Sequence, residues 1–261
     1  PAETYDSLNP FSNMEGIDLT YSMDVGDNTA TFQFVYGLAK DDEFELKDIL
    51  GASGVFQTDT WSARLGYSGA SVSVVAPSAK SVVENFYGSP SEDLDGSFLS
   101  IGFTYDPGDI YFTTEFTQLE AEGEIVDADA FYTTIGYRMG RFMPTLTYAT
   151  AESQDDDERE MTAAEASAVA TASGGAFTTA DVLTGVAGIK AASDRDTTRI
   201  GIGLRYDMSP GTALKVQYDI VEVDNEKSGL FDDTAWATND LTAGKNPDGA
   251  NVLTITIDTV F

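Results

Sequence analysis

The last stretch of the chain, NVLTITIDTVF (251–261), alternates strictly between two sets of side chains. In a β-strand, successive side chains point to opposite faces, so a period of two predicts a strand. The alternation gives this strand one apolar and one mostly polar face. The apolar face carries Leu253, Ile255, Ile257, Thr259 and Phe261, and the other carries Val252, Thr254, Thr256, Asp258 and Val260.

The same alternation recurs upstream, in runs joined by short turns that contain Gly, Pro, Asn or Asp, as hairpins require. Most runs have the length of a tilted strand that crosses a bilayer, about 9–11 residues. One predicted turn is centred on Gly69. The sequence predicts eleven strands, at 16–25, 29–38, 60–68, 70–76, 97–105, 110–119, 130–138, 142–150, 197–206, 213–223 and 251–261.

Long polar segments separate the predicted hairpins. Short turns at one end of the strands and long loops at the other are typical of outer-membrane barrels. The longest segment is Ala-rich at 161–192 and is predicted to hold short helices in an extracellular cap. The predicted loops are 39–59, 77–96, 120–129, 151–196 and 224–250.

The composition excludes several classes of function. The 261 residues include 44 Asp and Glu against 14 Lys and Arg, a net charge of −30. Such a charge repels phosphate backbones, so we expect no nucleic-acid partner. There is no Cys and no His, which removes the usual zinc sites, Cys nucleophiles and His-based triads. We therefore expect neither an enzyme nor a resident cofactor.

The apolar face of these strands admits two interpretations, the core of a β-sandwich or a surface that meets lipid. Every predicted strand alternates, and none is apolar on both faces. Charged residues also run along the whole polar face, together with many Gly and Thr. A wet, crowded lumen tolerates that mixture, and closure of the sheet removes exposed edges. The pattern therefore favours a barrel.

Tyrosines recur close to the predicted short turns. Amphipathic rings within a few residues of four short turns predict an aromatic girdle at a membrane interface. The alternative is that tyrosine simply favours strands. The four tyrosines are Tyr67, Tyr105, Tyr137 and Tyr206.

In its alternation, its rhythm of turns and loops and its terminal NVLTITIDTVF, the chain resembles the Gram-negative outer-membrane porins over essentially its whole length. The resemblance implies an all-β fold, a transmembrane antiparallel β-barrel, with eleven strands here as the C-terminal part of a sixteen-stranded, trimeric barrel. Residues 1–15 would end the constriction loop, and 16–261 would form barrel strands with long extracellular loops. Because the chain starts at Pro1 and single-chain bacterial barrels have even strand numbers, we expect a missing front end; a twelve-stranded barrel lacking one strand is the alternative.

The resemblance also implies a place and a function. The protein would lie in the outer membrane of a Gram-negative bacterium and allow passive diffusion of small hydrophilic solutes and ions, with pore size and charge setting selectivity. Its partners would be membrane lipid, lipopolysaccharide, further copies in a homotrimer, and the barrel-assembly machinery that reads Phe261. One alternative is a substrate-specific channel, which would need luminal aromatic residues beyond Tyr111 and Tyr132. The other is a non-conducting structural or adhesive barrel.

Five basic residues fall on the polar face of the predicted strands. By resemblance they would line the pore and oppose acidic groups of the constriction loop, for which Glu3 and Asp6 are candidates; the opposed charges would create a transverse field. The alternative is that these cations neutralise luminal acids such as Glu115 and Asp219. The basic residues are Arg64, Arg138, Arg199, Arg205 and Lys215.

Three acidic loops, at 41–45, 91–95 and 155–160, offer the hard oxygen ligands that Ca²⁺ prefers. None has the spacing of a known calcium loop. We therefore expect at most loosely bound Ca²⁺, and a solvated acidic loop is the alternative.

Overall fold

The computed structural model describes residues 14–40, 44–75, 80, 84, 90–123, 125–154, 160–228 and 249–260. In that part of the chain, eleven strands form one antiparallel sheet in which each strand pairs with its neighbours in sequence. The predicted all-β fold is confirmed. The strands are β1 Glu15–Val25, β2 Asn28–Lys40, β3 Phe44–Gln57, β4 Trp61–Val74, β5 Leu94–Tyr105, β6 Ile110–Ala121, β7 Ala128–Tyr137, β8 Phe142–Ser153, β9 Arg195–Ser209, β10 Thr212–Ser228 and β11 Gly249–Thr259.

Two helices, α1 (Ala163–Ala172) and α2 (Thr179–Ser193), lie between β8 and β9. They confirm the helices predicted in the Ala-rich segment. No helix in the described residues is both long and apolar enough to span a membrane.

The connections differ at the two ends of the sheet. At one end, which we call the short-turn end, hairpins close at 26–27, 58–60, 106–109, 138–141 and 210–211. Gly26 and Gly140 have φ of 65° and 63° there, a left-handed conformation that glycine adopts without a Cβ clash. The other end, the long-loop end, carries the connections 41–43, 75–93, 122–127, 154–194 and 229–248.

The predicted loop at 39–59 is wrong, because residues 44–57 form β3. Two features hide the alternation of this strand. Its apolar face is interrupted by the small residues Ala52 and Gly54, and its register with β4 shifts between Lys47 and Leu50. Asp48 lies within that irregularity with φ of 51°. A bulge of this kind moves the following side chains out of the two-residue period.

The predicted turn at Gly69 is also wrong, because β4 continues from Trp61 to Val74. Gly69 is an extended residue paired with Leu50 and Ser97. Tyr67 therefore lies in the middle of β4, away from the short turns. The predicted number of eleven strands holds because one missed strand offsets one that was divided in two.

The packing is the reverse of a soluble sheet. Large side chains on the apolar face are exposed, with Ile17 at 71% and Ile202 at 62%, whereas Ala149 and Thr117 on the polar face are fully buried. Soluble proteins rarely expose wide apolar surfaces. This sheet therefore needs an apolar environment against one face only.

Candidate functional site

The structure places all five predicted basic residues on the polar face. Arg64 pairs with Gly102, and Arg199 pairs with Ala149, both on the polar face. Arg205 lies between Met143 and Lys215 on neighbouring strands. Arg138 directly follows β7, two residues after Gly136, which pairs with Tyr111 on the same face.

Each of these five cations forms an ion pair with a carboxylate. These contacts agree with the neutralisation alternative, which named Glu115 and Asp219. Glu3 and Asp6 lie outside the described residues, so the transverse field stays a prediction. The nitrogen–oxygen distances are 3.2 Å for Arg64–Glu115, 2.5 Å for Arg138–Asp106, 3.1 Å for Arg199–Asp219, 2.8 Å for Arg205–Asp207 and 2.5 Å for Lys215–Asp258.

The pair between Arg199 and Asp219 is buried, unlike the others. The two side chains are only 13% and 8% exposed. Asp219 also accepts hydrogen bonds from the Gln217 amide at 2.8 and 3.0 Å. A Cβ at Gly201, which pairs with Asp219, would collide with the carboxylate. The glycine therefore makes room for this charged cluster within the sheet.

The pair between Arg138 and Asp106 joins two neighbouring short turns. The Arg138 guanidinium donates from Nη1 and Nη2 to the two Asp106 oxygens at 2.5 and 2.7 Å, and Nη1 also donates to the Gly108 carbonyl at 2.6 Å. Such a bidentate contact is the strongest form of this ion pair. Its hydrogen bond and charge hold the pKa of Asp106 below its usual value, and the carboxylate raises the pKa of Arg138.

We expect this turn contact to stabilise the fold modestly and only away from acid. Because the folded pKa of Asp106 is lowered, its contribution is complete above the unfolded value of about 4 and is lost as the pH falls through the folded pKa. With both side chains more than a third exposed, Asp106→Asn should cost at most about 1 kcal/mol at neutral pH. Unfolding titrations of both proteins from pH 7 downward test this. A difference that grows toward acid would contradict it.

Hydroxyl groups behave differently on the two faces. On the polar face several pair with each other across strands, at 2.9 Å for Ser22 and Thr31 and at 2.8 Å for Thr134 and Thr147. On the apolar face, Thr114 donates instead to the backbone carbonyl of Tyr132 at 2.9 Å. Bonding to backbone satisfies a hydroxyl that has no water beside it. The two faces are thus suited to different surroundings, one wet and one apolar.

A family model described as Gram-negative porin matches residues 12–226. The chain belongs to the Gram-negative porin family. It is accordingly an outer-membrane protein, as the sequence predicted. No curated protein matches the chain.

One solved porin structure shares the fold of this porin, and other outer-membrane structures align with it more weakly. Salmonella typhi OmpF in complex with daunomycin aligns with a TM-score of 0.55 at 11% identity, over 93% of this chain and 61% of that chain. The anion-selective porin of Comamonas acidovorans aligns with a TM-score of 0.48 at 13% identity, over 79% of this chain and 49% of that chain. The outer membrane channel DcaP of Acinetobacter baumannii aligns with a TM-score of 0.48 at 11% identity, over 92% of this chain and 60% of that chain. The OmpF match supports the β-barrel fold, and the chain spans about half to three-fifths of these structures.

Aromatic rings form a row at the short-turn end of this porin. Trp61 pairs with Tyr105, which pairs with Phe112. Further along, Phe142 stacks on Tyr206 with ring centroids 4.7 Å apart. Tyr137 occupies the same level opposite Ile110. Three of the four predicted tyrosines thus lie together, while Tyr67 does not, and their role as a membrane girdle stays a prediction.

Sequence reasoning missed several aromatic residues. Trp61 and Phe142 are the first residues of β4 and β8 and belong to the row at the short-turn end. On the polar face, Phe98 pairs with Leu119 and joins the predicted Tyr111 and Tyr132. Phe98 stands next to Leu99 in an apolar run, so alternation alone assigns it ambiguously.

Three other predictions fall partly or wholly outside the described residues. Phe261 and residues 1–13 of the predicted constriction loop lie outside the described residues. Glu15, which the sequence assigned to the end of that loop, is the first residue of β1. Of the acidic loops, 41–43 and 155–159 are not described; in 91–95, Glu92 forms an ion pair with Lys80, which lowers the pKa of that carboxyl. Among the described residues, no three His, Cys, Asp or Glu side chains are arranged to hold a metal ion.

Proposed function

We propose that the whole protein is a channel for passive diffusion of small hydrophilic solutes and ions, rather than an enzyme. The observation that carries the proposal is the reversed packing of the sheet, with large apolar side chains exposed on one face and hydroxyls and paired charges on the other. That arrangement suits lipid outside and water inside a barrel. Membership of the porin family supports the same activity.

We infer that pore size, together with a weak preference for cations, sets selectivity. The five wall cations are already paired with carboxylates, so they attract passing anions less than isolated cations would. Asp18, on the polar face of β1, accepts instead from two neutral groups, the Thr20 hydroxyl at 3.2 Å and the Gln33 amide at 2.5 Å. No ion pair joins Asp18 to a basic side chain in the part of the chain that the structure describes, and a carboxylate of this kind in the wall favours cations.

The assembly proposed for the whole protein is a homotrimer in outer-membrane lipid, in contact with lipopolysaccharide. We propose that the barrel-assembly machinery recognises Phe261. Any Ca²⁺ is proposed to be held loosely at the acidic loops. A total of sixteen strands in the whole barrel stays a prediction.

Single-channel recording of the whole protein in a planar bilayer under a salt gradient tests this function. We expect stepwise currents that close in threes, with a reversal potential of the sign for cations. A silent bilayer with correctly inserted protein would refute the diffusion channel and leave the structural or adhesive barrel. Block of the current by one solute but not by others of the same size would instead indicate a substrate-specific channel, for which the strands of the described sheet offer Phe44, Phe98, Tyr111 and Tyr132 on the polar face.

A further inference from the structure

The connection between β8 and β9 carries a well-defined helical hairpin, residues 160–193, made of α1, α2 and the turn between them. Each helix begins with a capping box. Thr162 accepts from the Glu165 amide at 3.3 Å, and Glu165 accepts from the Thr162 amide at 2.8 Å. Thr178 and Asp181 repeat the arrangement at α2. These reciprocal bonds fix where both helices start.

One side of α2 is packed. Val182 and Val186, four residues apart and therefore on one side of the helix, are both buried. Ala166 of α1 is also fully buried, and α2 contacts both α1 and β10. By contrast, Thr184 on the same helix is exposed. The buried side of α2 thus has a definite partner surface on α1 and β10.

The exposure of β10 shows which face of the sheet the hairpin covers. Val223 pairs with Thr197 on the polar face and is only 6% exposed, although it lies at the long-loop end. Ile220, on the apolar face of the same strand, is 43% exposed, and Glu222 beside it is exposed too. The apolar surface available to Val182 and Val186 is therefore on the polar face of β10.

We propose that the helical hairpin folds into the lumen and narrows the pore at its long-loop end. This inference rests on the proposed channel, whose lumen the polar face lines. It differs from the predicted extracellular cap, which would leave the polar face of β10 open.

The burial of polar-face side chains on β9 and β10 supports the proposal. The ion pair of Arg199 and Asp219 lies further down the same sector and is the most buried of the five. The hairpin sector is thus withdrawn from passing solutes, and the remaining lumen carries the flow.

The first test detaches the hairpin. In the whole protein, Val182→Asp combined with Val186→Asp places two charges in the packed contact, and we expect single-channel conductance to rise by roughly 1.5- to 2-fold as the lumen widens. Thr184→Asp is the matched control, since it adds a charge to an exposed position of the same helix; it should leave conductance unchanged. Unchanged conductance in the double variant, with a conducting wild type, would overturn the proposal.

The second test does not depend on conduction. These 261 residues contain no Cys, so Val223→Cys adds a single thiol to them. With the hairpin intact, this thiol should react with a charged, water-soluble thiol reagent about tenfold more slowly than with the hairpin detached. Thr256→Cys, on the exposed polar face of β11, should react fast in both backgrounds. Fast labelling of Val223→Cys with the hairpin intact would overturn the proposal. A silent wild type with a protected Val223→Cys would refute the channel while leaving the position of the hairpin standing.

Discussion

Phe34→Arg will strongly impair folding into a bilayer, whereas Gln33→Arg, one residue earlier, will not. Phe34 lies at the middle of β2 on the apolar face and is exposed there. An arginine on the lipid face near the bilayer midplane costs about 2–4 kcal/mol. Gln33 points to the polar face, where it donates to Asp18. An arginine at that position gains a carboxylate neighbour and stays in contact with water.

Denaturant titrations of protein folded into lipid vesicles measure both effects. We expect the Phe34→Arg midpoint to fall well below that of wild type, and the Gln33→Arg midpoint to stay close to it. The channel readout gives a second contrast, because only Gln33→Arg should reduce the cation preference. Equal destabilisation by the two substitutions would show that β2 does not have one face in lipid and the other in water.

Asp219→Ala will be among the most damaging substitutions in the pore wall. It removes the carboxylate that accepts from both Arg199 and Gln217 in a buried cluster. Removing one partner of a buried ion pair typically costs about 3–5 kcal/mol, because the remaining charge keeps its burial without its counter-charge. The cost should appear as a lower free energy of unfolding in vesicles.

Asp207→Ala is the matched control for this substitution. Its pair with Arg205 is shorter, at 2.8 Å against 3.1 Å for Arg199 and Asp219, but the two side chains are 47% and 50% exposed. An exposed pair contributes at most about 1 kcal/mol. Replacing both buried partners, as in Arg199→Met with Asp219→Leu, should restore most of the stability lost in Asp219→Ala. Similar costs for Asp219→Ala and Asp207→Ala would contradict the burial of the first pair.

Alternation alone predicted most strands to within a few residues, because the two faces of this sheet meet such different surroundings. For β1 and β2 the predicted 16–25 and 29–38 lie within the observed strands. The prediction failed at β3, where small residues and a bulge weaken the period. It failed again at Gly69, because the glycine was interpreted as the site of a turn, whereas glycine also fits the extended backbone of a strand.

For the pore wall, the sequence predicted the face of each basic residue but not its contacts. The position of Arg64 and Arg199 on the polar face follows from the alternation of side chains along their own strands. Their partners, Glu115 and Asp219, lie on other strands, and pairing across strands depends on register. The packing of α2 on β10 was likewise inaccessible, since the Ala-rich composition of the hairpin carries little periodic signal.

Cysteine labelling along β2 tests most directly the central claim that one face of this sheet meets lipid and the other meets a water-filled lumen. In the whole protein inserted in vesicles, single cysteines at positions 31 to 36 would be exposed to a membrane-impermeant thiol reagent. The account predicts reaction at Thr31, Gln33 and Val35 and protection at Phe32, Phe34 and Tyr36, a strict period of two. Labelling without that period, or at the second set only, would contradict it.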